Sequence, residues 1–275
     1  MESDDKELRE FFISGEDLFI KLMNYLQFWI QKKANKASVI FLIKALSRII
    51  KNSMDDEDAM IERQNMFDKL NTTKILMVLI WEEKNHDTQY LYSIFKFMIR
   101  ILLGGNPVVQ RTIADLFMSN SISEKFFRKM NDLILREIAQ IDFSSKYNVS
   151  KEISHLGKQL LRLLQLFCEG HNLTLQNYLR QQTNSKTNYD LVTLTTKLLC
   201  AYKVNSKNFE SVMQCFDTLT ELTQGPCQAN QIAIINSKFL EFAVSLLNVI
   251  FYVMSHNLTK SHRKKIKRLI MYQQD

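Results

Sequence analysis

The chain has 275 residues, 46% of them apolar and 24% charged, and its 36 Lys and Arg against 29 Asp and Glu give a formal charge of +7. These proportions exclude a disordered tail, and a chain of this length can bury about 75% of the surface its unfolded form exposes. With only 6 Gly and 2 Pro, it lacks the turn residues of an all-β protein and the glycine-rich loops of a doubly wound α/β protein. The expected fold class is all-α.

The charged opening MESDDKELRE has no apolar h-region, which excludes an ordinary secretory signal peptide. Helical spacing of apolar residues then begins. Residues 16–33 place Leu18, Leu22, Tyr25, Leu26 and Trp29 at three- and four-residue steps, and residues 37–50 repeat this with Val39, Leu42, Ile43, Leu46 and Ile50. The run Asp55, Asp56, Glu57, Asp58 lacks the Gly and Glu of a calcium loop and reads as the acidic first turn of a third helix. Another helix follows Asn71, with Thr72 or Thr73 as its N-cap. The apolar helix of residues 87–103 stops at Gly104-Gly105, and Asn106 caps the next helix with Pro107 at its first position. Ser121 or Ser123 opens a helix to about Ile141.

The polar segment 142–149 is the best boundary. It separates an N-terminal helical region, 1–141, from a second helical domain, 150–257, and a basic C-terminal helix, 258–275. Within the second domain, helices are expected to about Cys168 and over 173–181, 188–202, 207–223, 228–235 and 236–256. Roughly a dozen helices on short loops suit stacked helical pairs, although no repeat with shared consensus letters is visible. The apolar stretch Phe239–Met254 is too short to span a bilayer and carries Glu241, so it reads as a buried helix.

The four Cys have no paired CxxC spacing, which argues against a zinc knuckle or a disulfide framework. The basic run Lys260, Arg263, Lys264, Lys265, Lys267, Arg268 lacks interleaved aromatics, so no nucleic-acid partner is expected. No nucleophile elbow, P-loop, dinucleotide fingerprint or HExxH occurs, and the chain is not expected to be an enzyme.

Two helix ends carry the candidate chemistry. Cys168-Glu169-Gly170-His171-Asn172 closes one apolar helix, and Thr220-Glu221-Leu222-Thr223-Gln224-Gly225-Pro226 closes another. If the two ends are adjacent, Glu169, Glu221 and the amide oxygen of Gln224 make a hard-oxygen pocket suited to Ca²⁺, with His171 outside the ligand set. Spacing alone leaves open that these are ordinary polar helix ends.

The same residues carry a resemblance. LLRLLQLFCEGHNLTLQNYLRQQTNSKTNYDLV (160–192) resembles the RIH-associated region of intracellular calcium-release channels. Its CEGHN and QNYLRxQT are similar to the ryanodine receptor form, and NSKTNYDLV to the inositol trisphosphate receptor form. LTELTQGPCQANQ (219–231) resembles a second hallmark of both, and LLGGNPVVQ (102–110) and SEKFF (123–127) resemble the segment that precedes this region. The likeness runs over residues 75–255; residues 1–70 show none. The resemblance implies an armadillo-like helical solenoid on the cytosolic face of the endoplasmic reticulum, within a tetrameric channel, close to the pore and carrying an activating Ca²⁺ site. Carried over by motif, the ligands would be Glu169, Glu221 and Gln224, with His171 behind them. The family takes a further oxygen ligand from a segment beyond the pore, which has no counterpart here, so the expected site is partial. A module of such a channel is therefore the expected function, as a fragment or a truncated product, with a free-standing helical adaptor as the alternative.

Overall fold

The computed structural model describes residues 18–32, 35–119, 123–146, 153–205, 208–225 and 227–257. Among them are thirteen helices and no strand. The first, α1, occupies residues 18–31. It is followed by α2 (Lys36–Lys51), α3 (Glu57–Lys69), α4 (Thr72–Glu82), α5 (Thr88–Leu102), α6 (Pro107–Met118) and α7 (Ser123–Lys146). The remainder are α8 (His155–Cys168), α9 (Leu173–Arg180), α10 (Leu191–Cys200), α11 (Phe209–Thr223), α12 (Gln228–Ile235) and α13 (Phe239–Asn257).

The helices stack in threes. Helices α2, α5, α8 and α11 pack each against the next and form a spine. The helices that follow them, α3, α6, α9 and α12, make a second stack, and α4, α7, α10 and α13 a third. The expected solenoid is thus present, but its unit is a helical triplet rather than the expected pair. Spine helices have neighbours on both sides, and their composition answers this: α8 buries Leu156, Leu160, Leu161, Leu163, Leu164, Leu166, Phe167 and Cys168, far more than one stripe. Each such side chain contributes about 1.5–3 kcal/mol on burial. Against α4, α1 rests through Met23, whose Sδ accepts from Thr72 Oγ1 at 3.6 Å.

Several helix starts follow from local chemistry. Asp56, Asp87, Asn106, Asn172 and Asp190 each cap a helix by accepting a backbone N–H from its first turn. Neither Thr72 nor Thr73 caps α4; the N-cap is Asn71 in a left-handed conformation at φ 60°, and Thr73 Oγ1 instead donates to Asp68 Oδ1. Helix α7 runs on to Lys146, past the expected end near Ile141, with Ser144 Oγ bonded back to the Gln140 carbonyl.

The core continues across residues 142–149, because α5 packs on α8 and α7 on α10. Phe117 on α6 is its focus, with ring centroids 5.3 Å from Phe126, 4.9 Å from Phe127, 5.9 Å from Phe167 and 5.7 Å from Tyr178. Helix α13 is not the buried helix its apolar run suggests. Phe239 and Phe242 pack on Phe216, while Leu240, Val244, Leu247, Ile250 and Phe251 are exposed, since no fifth triplet covers them among the described residues. The basic run at 260–268 lies outside the described residues.

Candidate functional site at the stacked loops

The spine helices α5, α8 and α11 end in the same turn, whereas α2 ends at Asn52 in the right-handed helical region. The cap residues Leu103, Glu169 and Gln224 are extended, at φ/ψ of −56°/131°, −54°/135° and −65°/153°. The next residue is in every case a left-handed glycine: Gly104 at φ 80°, Gly170 at 78° and Gly225 at 60°. Gly105 and His171 follow at φ 70° and 63°. The N-cap of the second helix lies three residues after each cap: Asn106, Asn172 and Cys227. A glycine is required at 225, because its φ is left-handed and a β-carbon built there would lie 2.9 Å from His171 Cβ.

That close approach brings the two candidate segments together. Glu169 and His171 sit on the loop after α8, and Glu221 and Gln224 at the end of α11, where Gly225 touches His171. Both carboxylates turn inward: Glu169 Oε2 and Glu221 Oε2 are buried and have no hydrogen-bond partner. Arg162 Nη2 lies 3.7 Å from Glu169 Oε2, an ion-pair distance too long for a hydrogen bond. Burial first, and then the charge of Glu169, push the Glu221 carboxyl above its ordinary value of 4.5, against smaller opposing effects of His171 and Arg162. His171 itself is exposed. Among the described residues no three His, Cys, Asp or Glu side chains converge as a ready metal centre. The two loops bring together two carboxylates, while Gln224 and His171 on the same loops are exposed.

Such an arrangement has a definite chemical tendency. Two like charges share a partly desolvated junction, and each has an acceptor oxygen without a donor. A hard divalent cation would satisfy both oxygens and cancel their repulsion, and oxygen donors of this kind fit Ca²⁺ better than a soft metal. Arg162 is the internal rival for Glu169. The neighbouring thiols offer no competing chemistry. Cys168 is fully buried and held well above the ordinary thiol range by burial, and next by Cys227 and Glu221.

Sequence reasoning missed the residues that hold these loops. Gln110 Nε2, from α6, donates to the carbonyls of Leu166 (3.0 Å) and Glu169 (2.8 Å). Gln176 Nε2, from α9, donates to those of Glu221 (2.7 Å) and Gln224 (2.8 Å). The available signal was the recurrence of Asn-x-x-x-Gln at Asn106–Gln110 and Asn172–Gln176.

An all-helical solenoid of triplets with an acidic junction between two stacked loops is the class defined so far. Residues 150–247 match the family described as RyR and IP3R Homology associated. The inositol 1,4,5-trisphosphate receptor itr-1 of Caenorhabditis elegans is 41% identical over 88 residues, which cover 28% of this chain and 3% of the receptor. Residues 150–247 therefore match a region found in the inositol trisphosphate and ryanodine receptors, and the chain spans a small part of the length of the relative it matches. Among the described residues no helix is long and apolar enough to cross a membrane.

Proposed function

We propose that this chain is a regulatory module of an intracellular ligand-gated calcium-release channel, acting on the cytosolic face of the endoplasmic reticulum and coupling Ca²⁺ and ligand sensing to gating. The pore would belong to other segments of a tetrameric assembly. The observation that carries the reading is the pair of buried, donorless oxygens, Glu169 Oε2 and Glu221 Oε2, placed where the loops of two successive repeats meet. Glu169, Glu221 and the Gln224 amide oxygen would hold Ca²⁺, His171 would stand at the rim, and another segment of the assembly would complete the shell. An ion shared by two repeats and a third segment favours the arrangement that coordinates it best. Its effect on gating is limited by its differential affinity for the two states. Nothing in this role requires catalysis.

The test is calorimetric titration of the purified chain with Ca²⁺, alongside Glu169→Gln/Glu221→Gln. Heat of binding in the wild type that disappears in the double variant is expected. Binding that survives the double variant, or a wild type that binds no Ca²⁺ at millimolar concentration, removes the site from this chain. The exposed apolar residues of α13 favour a second reading, a free-standing adaptor that buries this face against a protein partner. An adaptor would show no dependence on the two carboxylates.

A further inference from the structure

The loops of successive repeats are tied together by buried glutamines, and the tie changes at the acidic junction. Gln64 on α3 is fully buried and donates through Nε2 to the carbonyls of Arg100 and Leu103, both at 2.9 Å. Its Oε1 accepts from Asn106 Nδ2 at 2.9 Å. One repeat later Gln110 does the same to Leu166 and Glu169, and its Oε1 accepts from Asn172 Nδ2 at 2.9 Å. At the next level Gln176, also fully buried, holds Glu221 and Gln224. In all three cases the two carbonyls are those of a cap residue and the residue three before it. Each glutamine therefore reaches forward from one triplet and fixes the end of the next spine helix.

The third rung is incomplete. The residue equivalent to Asn106 and Asn172 is Cys227, whose side chain makes no cap hydrogen bond and whose Sγ donates to Asn177 Oδ1 at 3.7 Å. Gln176 Oε1 is consequently buried without a hydrogen-bond partner. Gln110 is anchored by its acceptor as well as its donors; Gln176 is anchored by its donors alone. The residues it holds, Glu221 and Gln224, are two of the three proposed cation ligands, while Gln110 holds the backbone of the other, Glu169.

Resting on the reading above, we infer that Gln110 and Gln176 are positioning residues for the cation, setting the separation of Glu169 from Glu221 and Gln224 by fixing both helix ends to the preceding repeats. Neither amide touches the ion. Partners outside the ligand set alter metal affinity by about 10–100-fold when removed, because ligands that are free to spread must be gathered again at binding. Gln64 is the internal control. It makes the same bonds one level away, on a loop whose cap is Leu103 rather than a carboxylate.

The experiment compares Gln176→Met, Gln110→Met and Gln64→Met in the full chain. Methionine keeps the length and apolar stem but removes both donors and the acceptor. Affinities for Ca²⁺ and Mg²⁺ are measured by titration, and thermal midpoints and backbone hydrogen exchange are measured without metal. The expected result is at least tenfold weaker Ca²⁺ binding and a narrower Ca²⁺ over Mg²⁺ preference for Gln176→Met, and a loss in the same direction for Gln110→Met. Gln64→Met should lower the thermal midpoint comparably yet leave both affinities within about twofold of wild type. Without metal, exchange at residues 224, 225 and 227 should rise in Gln176→Met only. Unchanged affinity in both Gln176→Met and Gln110→Met overturns the positioning role while leaving the cation site standing. An equal loss in Gln64→Met also overturns it, since the effect would then be general destabilisation. A wild type that binds neither cation ends the site and the positioning role together.

Discussion

At the scale of the residue, Glu221 shows how a proposed ligand can weaken the fold that carries it. Burial and the nearby charge of Glu169 raise its carboxyl above the ordinary 4.5. The folded chain therefore holds this proton more tightly than the unfolded chain does. The stabilisation it brings is complete below the unfolded value and is lost as the pH rises through the folded one. As the pH rises through the raised folded value the group ionises at the expense of stability, which a bound cation would restore. Glu221→Gln should thus raise the thermal midpoint of the metal-free chain at pH 7.5, and its advantage should shrink as the pH falls and vanish below the ordinary value of 4.5, where the carboxyl becomes protonated in folded and unfolded chains alike. Melting curves in chelator across this range give the answer, and a variant less stable than wild type at pH 7.5 would show that Glu221 serves the fold rather than a ligand. The same substitution should abolish any rise in midpoint on adding Ca²⁺, since stabilisation by mass action requires binding to the folded chain.

At the scale of the element, the contact between the loops after α8 and α11 decides whether the site exists, and two glycines separate its contributions. Gly170 and Gly225 are both left-handed, so alanine at either is strained by roughly 1–2 kcal/mol. A β-carbon at 170 would meet nothing within 4 Å, whereas at 225 it would lie 2.9 Å from His171 Cβ. Gly225→Ala should therefore cost about 1 kcal/mol or more beyond Gly170→Ala in urea denaturation, and His171→Gly in the Gly225→Ala background should recover most of that excess. Equal costs for the two alanines would mean the loops are not held in contact in solution. The cap at Asn106 and the stop at Gly104-Gly105 were legible in the sequence, because a cap or a turn depends on a few adjacent residues, whereas the adjacency of the Glu169 and Glu221 helix ends was a conditional expectation from spacing. The triplet repeat was not. Its signature is confined to short Asn-x-x-x-Gln segments, and Gln64, Gln110 and Gln176 act on carbonyls 36 to 59 residues away, at separations no fixed period records. Helix α13 misled for the opposite reason: an apolar run reads as buried, but burial belongs to the neighbour that would cover it.

At the scale of the whole molecule, the question is whether four triplets behave as one body. A solenoid whose repeats touch only their neighbours can unfold piecemeal, and a signal at the acidic junction would then stop at the next repeat. The core argues otherwise. Phe117 in the second triplet contacts Phe126 and Phe127 of the same triplet and Phe167 and Tyr178 of the third, while the Tyr178 hydroxyl donates to the Phe117 carbonyl at 2.7 Å. Truncating a fully buried Phe costs about 3–5 kcal/mol, which in a chain of this size lowers the midpoint by about 10 °C. Both tryptophans, Trp29 on α1 and Trp81 on α4, lie on helices that precede this cluster in the chain. Their fluorescence therefore reports on the leading triplet, while far-ultraviolet circular dichroism reports on every helix. If the triplets are coupled, Phe117→Ala should shift both signals together, in one transition, by the same amount. A fluorescence midpoint that stays at the wild-type value while the dichroism midpoint falls would divide the solenoid between its second and third repeats. It would also confine any cation-driven rearrangement to the C-terminal half. Coincident shifts would mean that strain applied where Glu169 meets Glu221 is felt through the spine to α2.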